Sequence, residues 1–564
     1  MARTSQKRGI VSKDGPAKRV RAANATRRAQ PAKTNKQRTA AARRKAQGVS
    51  LAPPSPLNTA PTTVLDVFVF GTGDAGELGL GPEIAEATRP RLNPFLSAAS
   101  APATGTTSFD IVQLACGAMH SVALTRDNRI VTWGVNDGGA LGRNTDWEGG
   151  MTELNEGDSD SDSDAQGASL NPHESTPTAI DPSSFPAGTV FTQVAAGDSC
   201  SFALTDTGLV YGWGMFRTRD GQEFFLPHPT TGQVGEKQRV PVRIPGLQGI
   251  TQIVAGANHA LALQGRAGGP RQTRAKTGAG TGTGTGARNP VHVWAWGSND
   301  MDQLGRRLVR RRRPLYKDDV VLDAAAEPVL VEMPGRAAED IALVAAGEYH
   351  AFAVGASGRV WAWGLNTFGE TGAAPDELRR RGADASPTIP GPTQVAALAG
   401  ERVVALAGGG HHSTAVTADG RCLVWGRIDA GQLGMALAEL EAADAAARDP
   451  AHRRLLRDER GRSRACLLPA TVNLNLGTAT AADTTAVAVA CGTDHTIIVT
   501  AASPHGVFGA GYNGQAQLGI GGGEDDDDEV PVATCLRSKT LRSRRLTWAG
   551  AGAQYSMVAG PRPG

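Results

Sequence analysis

Histidine recurs at fixed spacing in this chain, and an imidazole can ligate a metal or move a proton. Seven short motifs begin with glycine, and in five of them a histidine stands three residues later: His120, His259, His350, His412 and His495. Cys200 and Tyr555 hold this position in the other two motifs. One histidine per repeat keeps the imidazoles far apart, and no carboxylate or cysteine recurs beside them at ligand spacing. We therefore interpret these histidines as structural, with the doublet His411-His412 as the best candidate for a surface role.

Two other segments have some features of ligand-binding loops. The acidic run Asp158–Asp164 is spaced like the start of a calcium loop, but Ala165 and Ser175 stand where glycine and glutamate are required. A dinucleotide-binding loop requires a strand before it and a helix after it, and the Gly-Thr tract Gly278–Gly286 has neither. No nucleophile–base set, carboxylate pair or phosphate-binding lysine loop stands out. We expect no metal and no cofactor, and the missing motifs count against a hydrolase or a transferase.

The glycine motifs are one half of a larger repeat. The other half is an aromatic-glycine pair followed by Leu-Gly, as in Trp133-Gly134 to Leu141-Gly142, and in five units the aromatic lies sixteen residues after the motif glycine. Short β-rich runs alternate with Gly, Asp and Asn turns, which indicates antiparallel strands. A helical solenoid is the competing architecture, but long 3.6-residue periods are rare. Only Met435–Ala447 is expected to be helical.

The two ends of the chain carry complementary halves of the repeat. The first half-unit, Val67–Gly71, is of the aromatic-glycine type, and the last, Leu546–Gly552, is of the glycine-motif type. Together they complete one sheet, and a closed ring leaves few exposed edges. We predict an all-β seven-bladed β-propeller, closed by pairing of its amino- and carboxy-terminal strands. It would span residues 63–564, with insertions between blades at about 144–190, 266–290, 306–340 and 436–470.

The chain before the first repeat is basic. Its first 47 residues hold about fifteen Lys and Arg against the single acid Asp14, although the whole chain has a net charge of only +3. With so few large apolar residues we predict that residues 1–62 form a disordered tail. Such charge density favours a nuclear localisation signal and contact with DNA phosphates, with solubility or transport alone as the competing interpretation. The candidate residues are Lys18, Arg19, Arg21, Arg43, Arg44 and Lys45.

Cysteine usage and hydropathy limit the compartments that this chain would occupy. No apolar run reaches the length of a membrane-spanning helix, so we expect no membrane partner. The six cysteines are scattered and include no C-x-x-C pair, which favours a reducing compartment.

The paired motifs resemble the regulator of chromosome condensation repeat, and the resemblance covers residues 67–560. The basic tail and the lack of a further catalytic domain are similar to the family members that exchange guanine nucleotide on the small GTPase Ran. The resemblance therefore implies an exchange factor without bond chemistry, located in the nucleus and bound to chromatin. A non-catalytic scaffold or adaptor of the same repeat family is the alternative.

The resemblance also implies roles for single residues. After Trp213-Gly214 the Leu-Gly ending is replaced by a stretch that resembles the family's β-wedge, which acts at the nucleotide site of the GTPase: Phe216, Arg217, Thr218, Arg219 and Asp220. The residues that match the family's Ran-facing positions are Asp74, Asp198, Asn258 and His412. Asn258 stands where the family has an acid, so it removes a charge expected to bear on exchange. Tyr555 replaces a further motif histidine.

An arginine-rich segment follows Leu304-Gly305, where the family has a chromatin-contacting loop. The resemblance implies that this segment contacts the acidic patch of the histones in a nucleosome, through Arg310, Arg311, Arg312 and Arg313. Guanidinium groups pair bidentately with carboxylates, which suits this role.

Overall fold

The structure is a computed structural model, in which the chain divides into two units, residues 1–54 and 55–564. It describes residues 56–97, 108–148, 169–227, 233–265, 291–306, 308, 325–335, 341–373, 375–376, 378, 387–449, 453–474, 484–502, 506–521 and 528–563. The candidate residues of the tail and Arg310–Arg313 lie outside these ranges.

The described chain forms seven antiparallel sheets, which we call blades 1 to 7, and one two-stranded hairpin. The first strands are β1 (Leu65–Thr72) and β2 (Glu86–Leu92), both in blade 7. Blade 1 consists of β3 (Ile111–Cys116), β4 (His120–Thr125), β5 (Ile130–Gly134) and β6 (Thr178–Ala179). Blade 2 consists of β7 (Phe191–Ala196), β8 (Cys200–Thr205), β9 (Val210–Gly214) and β12 (Gln238–Arg243), and the hairpin between β9 and β12 consists of β10 (Phe216–Arg217) and β11 (Glu223–Phe224). Blade 3 consists of β13 (Ile250–Ala255), β14 (His259–Gln264), β15 (His292–Gly297) and β16 (Val329–Leu330). Blade 4 consists of β17 (Ile341–Ala346), β18 (His350–Gly355), β19 (Val360–Leu365) and β20 (Thr388–Gln394), and blade 5 of β21 (Val403–Gly408), β22 (His412–Thr417), β23 (Cys422–Arg427), β24 (Leu455–Arg457) and β25 (Ser463–Thr471). Blade 6 consists of β26 (Ala486–Cys491), β27 (His495–Thr500), β28 (Val507–Tyr512) and β29 (Glu529–Cys535). The last two strands of the chain, β30 (Trp548–Ala551) and β31 (Tyr555–Pro561), complete blade 7.

The blades close into a ring. The first strand of each blade contacts the first strand of the next blade, and β30 of blade 7 contacts β3 of blade 1. In blade 7, β1 pairs with β31 from Leu65↔Pro561 to Gly71↔Tyr555, so strands from both ends of the domain share one sheet. The prediction of a seven-bladed β-propeller with this closure is confirmed.

Buried histidines connect successive blades. In four of the five buried motif histidines, Nε2 shares a hydrogen bond with a hydroxyl at the start of the second strand of the next blade: His120–Ser201 at 2.8 Å, His350–Ser413 at 2.8 Å, His412–Thr496 at 2.9 Å and His495–Ser556 at 2.8 Å. At the closure the hydroxyl of Tyr555 bonds Ser121 at 2.9 Å, so Tyr555 fills the same role. The motif glycines are needed because these loops touch: a Cβ on Gly492 would lie 2.5 Å from the carbonyl oxygen of Gly552. The structural interpretation is confirmed for His120, His350 and His495.

The tryptophans of the repeat make a second link between blades. Each indole N–H donates to a carbonyl in the loop between the third and fourth strands of the preceding blade: Trp133 to Glu77, Trp213 to Ala140, Trp363 to Gln303 and Trp425 to Glu370. Trp296 is as fully buried, but its indole nitrogen has no hydrogen-bond partner among the described residues. The preceding blade 2 carries the hairpin β10–β11 in place of the loop that would supply the carbonyl.

The four predicted insertions lie within blades, so their placement between blades was wrong. Segments 144–190, 306–340 and 436–470 contain β6, β16 and β25, the fourth strands of their own blades. Segment 266–290 separates β14 from β15 and lies outside the described residues. Outer strands as short as the two residues of β6 and β16 carry little sequence signal, and the outer rim tolerates added chain because its loops face solvent.

Helices are few among the described residues. The predicted helix after Met435 is confirmed over Leu437–Ala446, where buried Leu440 and Asp444 face the added strand β24. Asp444 accepts hydrogen bonds from the backbone N–H groups of Arg454 and Leu455 at 2.6 and 3.0 Å. Other helical turns among the described residues include Asp137–Gly139, Pro172–Ser175, Pro182–Ser184, Ala396–Leu398 and Lys539–Leu541.

Candidate functional site

The loops of the propeller divide between two ends. The glycine motifs join the first strand of each blade to the second, and because the strands are antiparallel, the loops from third to fourth strand lie at the same end. We call this end the motif face. The opposite end carries the loops from second to third strand and the connections between blades, and we call it the hairpin face.

Three acids lie on the inner loops of the motif face: Asp198, Glu348 and Asp494, all half-buried. Burial raises the pKa of Asp198 to about 6, although nearby Arg217 and a hydrogen bond from Asn258 oppose the rise. Burial likewise raises the pKa of Glu348 to about 7, with a hydrogen bond from Thr493 acting against it. The face therefore concentrates carboxyl groups that are incompletely hydrated before any partner arrives.

The hairpin β10–β11 projects from this face. Phe216 pairs with Phe224 and Arg217 with Glu223, and the chain turns over Thr218–Gly221, where the N–H of Gly221 donates to the carbonyl of Thr218 at 2.9 Å. Gly221 has φ +82°, a conformation that disfavours other residues. The tip residues Arg217, Arg219 and Asp220 are exposed.

Phe216 differs from the other residues of the predicted wedge. It is fully buried, and its ring lies 5.5 to 6.2 Å from three neighbouring rings: Phe202, Phe224 and Phe225. The assignment of Phe216 to a contact surface is wrong: its ring anchors the hairpin in the core, and the four residues after it reach solvent. A hairpin with only two residue pairs is marginally stable by itself, so packing of the aromatic rings beneath it is needed to keep it folded.

Both neighbouring blades fix the hairpin from the side. Asp137 of blade 1 accepts from the Arg217 guanidinium at 2.9 Å. From blade 3, Asn258 Oδ1 accepts from the backbone N–H of Arg217 at 2.7 Å, and Asp300 accepts from the backbone N–H of Arg219 at 2.7 Å. The projecting hairpin is thus held in one position relative to the inner acids.

Asn258 connects the hairpin to Asp198. While its oxygen accepts from Arg217, its Nδ2 donates to the Asp198 carboxylate at 3.2 Å. A carboxylate at position 258 could accept the first bond but could not donate the second. The structure therefore corrects the interpretation of Asn258 as simply a lost charge, because the amide is built into the site.

The histidine of the doublet that reaches the motif face is His411. His412 is fully buried on Thr496, and burial lowers its pKa to about 3, so its assignment as a partner-facing residue is wrong. His411 is half-buried, and its Nδ1 lies 2.9 Å from Oε1 of Glu370. Burial alone would lower the pKa of His411, but the bond to Glu370 outweighs it and the pKa is raised.

Exposed acids surround the inner loops. Asp74 follows β1 in blade 7, and it lies three residues after the glycine of its aromatic-glycine pair. Three further acids occupy the same position of their repeats and are exposed: Asp137, Asp300 and Asp429. Sequence reasoning missed Asp137, Asp300, Asp429, Glu348 and Asp494 as candidate site residues. Alignment of the repeats by their glycines would have revealed the position that Asp137, Asp300 and Asp429 share.

The motif face offers carboxylates and a fixed hairpin, which suit a basic protein surface. No group of three His, Cys, Asp or Glu side chains in the described ranges is placed to hold a metal ion. Within the same ranges, no helix has the length and apolarity to cross a membrane.

Comparisons with known proteins agree with this architecture. The family model for the RCC1-like domain matches residues 66–558. Protein pim1 of Schizosaccharomyces pombe is 33% identical over 512 residues, which cover 89% of this chain and 75% of the relative. The guanine nucleotide exchange factor SRM1 of Saccharomyces cerevisiae is 30% identical over 504 residues, which cover 88% of this chain and 87% of the relative. The crystal structure of Prp20p from Saccharomyces cerevisiae, described with its binding to Gsp1p and histones, superposes with a TM-score of 0.66 at 27% identity and covers 90% of this chain and 94% of Prp20p.

Proposed function

Because this chain belongs to the family of RCC1-like domain proteins, we propose that it is a guanine nucleotide exchange factor for the small GTPase Ran. The observation that carries the proposal is the hairpin β10–β11, fixed by blades 1 and 3 above an acidic face. The yeast relative that bears the name of an exchange factor aligns over 88% of this chain, and Prp20p, whose fold the chain shares, binds Gsp1p.

The proposed mechanism needs no bond chemistry on the exchange factor. The acids Asp74, Asp198, Asp137 and Asp300 would bind basic groups of Ran, while Arg217, Thr218, Arg219 and Asp220 act at its nucleotide site. If this contact is strongest with nucleotide-free Ran, the exchange factor weakens nucleotide binding by the same factor by which nucleotide weakens exchange-factor binding. A rigid hairpin helps because little ordering free energy is lost on contact. The exchange factor accelerates release of both GDP and GTP, and an excess of free GTP determines which nucleotide Ran then carries.

We also propose that the protein acts in the nucleus on chromatin. The basic tail (Lys18, Arg19, Arg21, Arg43, Arg44 and Lys45) would contact DNA phosphates, and Arg310–Arg313 the histone acidic patch. Both elements lie outside the described residues, so their composition supports the proposal, together with the histone binding of Prp20p. The solved complex of yeast RCC1 with Kap60 adds further support. The yeast RCC1 in that complex matches at 26% identity with a TM-score of 0.67, and the match covers 92% of this chain and 96% of that one.

The test is release of labelled GDP from Ran. We expect the protein to accelerate release, and Arg219→Ala/Asp220→Ala to slow it roughly tenfold or more, equivalent to about 1.4 kcal/mol of lost contact with the transition state. The matched control is Arg126→Ala/Asp127→Ala, an exposed Arg-Asp pair at the β4–β5 turn on the hairpin face. Exchange at the wild-type rate by the hairpin variant would contradict the proposed role of the tip. Ran binding without accelerated release would favour the scaffold function.

A further inference from the structure

A second charged surface lies where blade 6 meets blade 7. Arg89 and Arg91 are exposed on β2, the edge strand of blade 7. The connection from β29 to β30, which lies on the hairpin face, carries four more exposed cations: Arg537, Lys539, Arg542 and Arg545. We call these six residues the junction patch.

The two segments of the patch are held together. The hydroxyl of Thr540 donates to the carbonyl of Pro90 at 2.7 Å, which places the turn Lys539–Leu541 against β2 between Arg89 and Arg91. The Arg544 guanidinium bonds the buried carboxylate of Asp66 at 2.6 Å, and Leu541 is buried beneath the connection. The patch is therefore a fixed surface.

The charge of the patch is not neutralised within the described part of the chain. Segments 87–92 and 535–546 contain seven cations and no Asp or Glu. Arg544 pairs with Asp66, whereas none of the six patch residues has a carboxylate within ion-pair distance among the residues that the structure describes. Elsewhere on the surface Arg421 pairs with Glu401 and Asp419. Clustered like charges repel and oppose folding, so a fixed cluster without counter-charge is suited to a polyanion.

We propose that the junction patch binds the phosphate backbone of duplex DNA without sequence preference. The exposed hydroxyl of Ser543 adds a donor of the kind that contacts phosphates. Neither segment contains an aromatic side chain that could stack on a base, or an Asn or Gln side chain that could read adenine. Leu536, Leu541 and Leu546 are buried and Leu92 is half-buried, so neither segment exposes a large apolar side chain that could enter a membrane.

The position of the patch allows DNA and a GTPase to bind together. Its four residues on the β29–β30 connection lie on the hairpin face, away from β10–β11, whereas the guanidinium of Arg89 lies beside Gly521 in the β28–β29 loop. The backbone N–H of Leu57, near the start of the described chain, also bonds the hairpin face, at the carbonyl of Asp206. The inference adds a contact from the folded domain to the proposed chromatin association, and it does not depend on exchange activity.

Titration of a mixed-sequence duplex with the full chain at several salt concentrations tests the proposal. Each lost phosphate contact lowers the slope of log K against log salt by about 0.9. We expect Arg537→Ala/Arg542→Ala/Arg545→Ala to reduce the slope by roughly two to three and to weaken binding at low salt. The matched control is Arg243→Ala/Arg402→Ala/Arg460→Ala, three exposed arginines on other blades that give the same change in net charge. Equal losses in both variants, or none in either, would overturn the proposal.

Two further measurements keep the result interpretable. If the triple variant unfolds at a lower temperature, Arg89→Ala/Arg91→Ala on the other segment must still lower the slope, and an unchanged slope would refute the patch. Vesicles of equal parts phosphatidylserine and phosphatidylcholine serve as the alternative polyanion: loss of vesicle binding alone, with DNA binding intact, would reject DNA as the ligand. GDP release from Ran is scored separately, so a failure of the exchange function leaves the DNA result standing.

Discussion

At the scale of single residues, Asn258 uses both ends of its amide. Its oxygen holds the backbone of the projecting hairpin, and its nitrogen satisfies the Asp198 carboxylate, whose pKa burial raises to about 6. His411 and His412 show the same dependence on surroundings, since one reaches the motif face and the other is enclosed between blades. At such positions the residue type alone does not define a role; the neighbours do.

We predict that Asn258→Asp slows GDP release from Ran roughly tenfold, because an unsatisfied buried group costs about 1–3 kcal/mol. Two carboxylates about 3 Å apart would repel each other and loosen the hairpin. The defect should be larger at pH 8 than at pH 6, since protonation near the raised pKa of Asp198 restores one donor to the pair. Stopped-flow release at both values measures it, with exposed Asn144→Asp as the control for added charge. Faster release by Asn258→Asp would show that the missing charge, and not the amide, governs this position.

At the scale of elements, the hairpin β10–β11 replaces a loop that the other repeats use for packing. Among the described residues, Trp296 has no partner in place of the carbonyl that four other tryptophans use. The aromatic cluster of Phe202, Phe216, Phe224 and Phe225 fills the same region with apolar contacts. At blade 2, the hairpin β10–β11 on its apolar base thus replaces the indole–carbonyl hydrogen bond that links other neighbouring blades.

We predict that Phe216→Ala lowers the free energy of unfolding by about 3–5 kcal/mol, the usual cost of deleting a fully buried phenyl ring. Exchange should fall with it, because the hairpin loses its anchor. Urea denaturation measures the change, and Arg219→Ala in the same hairpin is the control, with an expected effect of about 0.5 kcal/mol or less. A stability equal to that of the wild type would mean that Phe216 is not packed in the core.

At the scale of the whole molecule, closure of the ring depends on contacts between residues from opposite ends of the sequence. Asp66 on β1 is 4% exposed and accepts from Arg544 at 2.6 Å and from Arg562 at 3.1 Å. Arg562 also bonds Asp110, next to the first strand of blade 1, at 2.8 Å. These ion pairs reinforce the strand pairing that joins the first and last parts of the propeller.

We predict that Asp66→Ala destabilises the fold by about 3–5 kcal/mol, because it leaves two partly buried guanidinium groups without their carboxylate. Glu401→Ala is the control: it removes a partner of the more exposed Arg421, and we expect about 1 kcal/mol or less. Thermal unfolding of both variants decides the matter. Equal and small effects would mean that strand pairing alone closes the ring.

The sequence by itself determined the architecture of this protein. A repeat of constant internal spacing, with complementary half-units at its two ends, predicts both the number of blades and the closure, because each sheet must bury its faces against the next. The position of the hairpin was also visible, since an interrupted repeat stands out against intact copies. The repeat could not place the insertions, because β6 and β16 pair through only two residues each and carry no pattern of their own.

The tertiary structure decided which side chains meet. Arg91 and Lys539 are about 450 positions apart in the sequence, yet they share one surface, and Asn258 bonds residues 41 and 60 positions away. Contacts of this kind form across blade junctions, whose geometry depends on the packing of whole sheets and on no local pattern. The burial of Phe216 and His412 follows from the same packing, which the resemblance that suggested them as contact residues could not show.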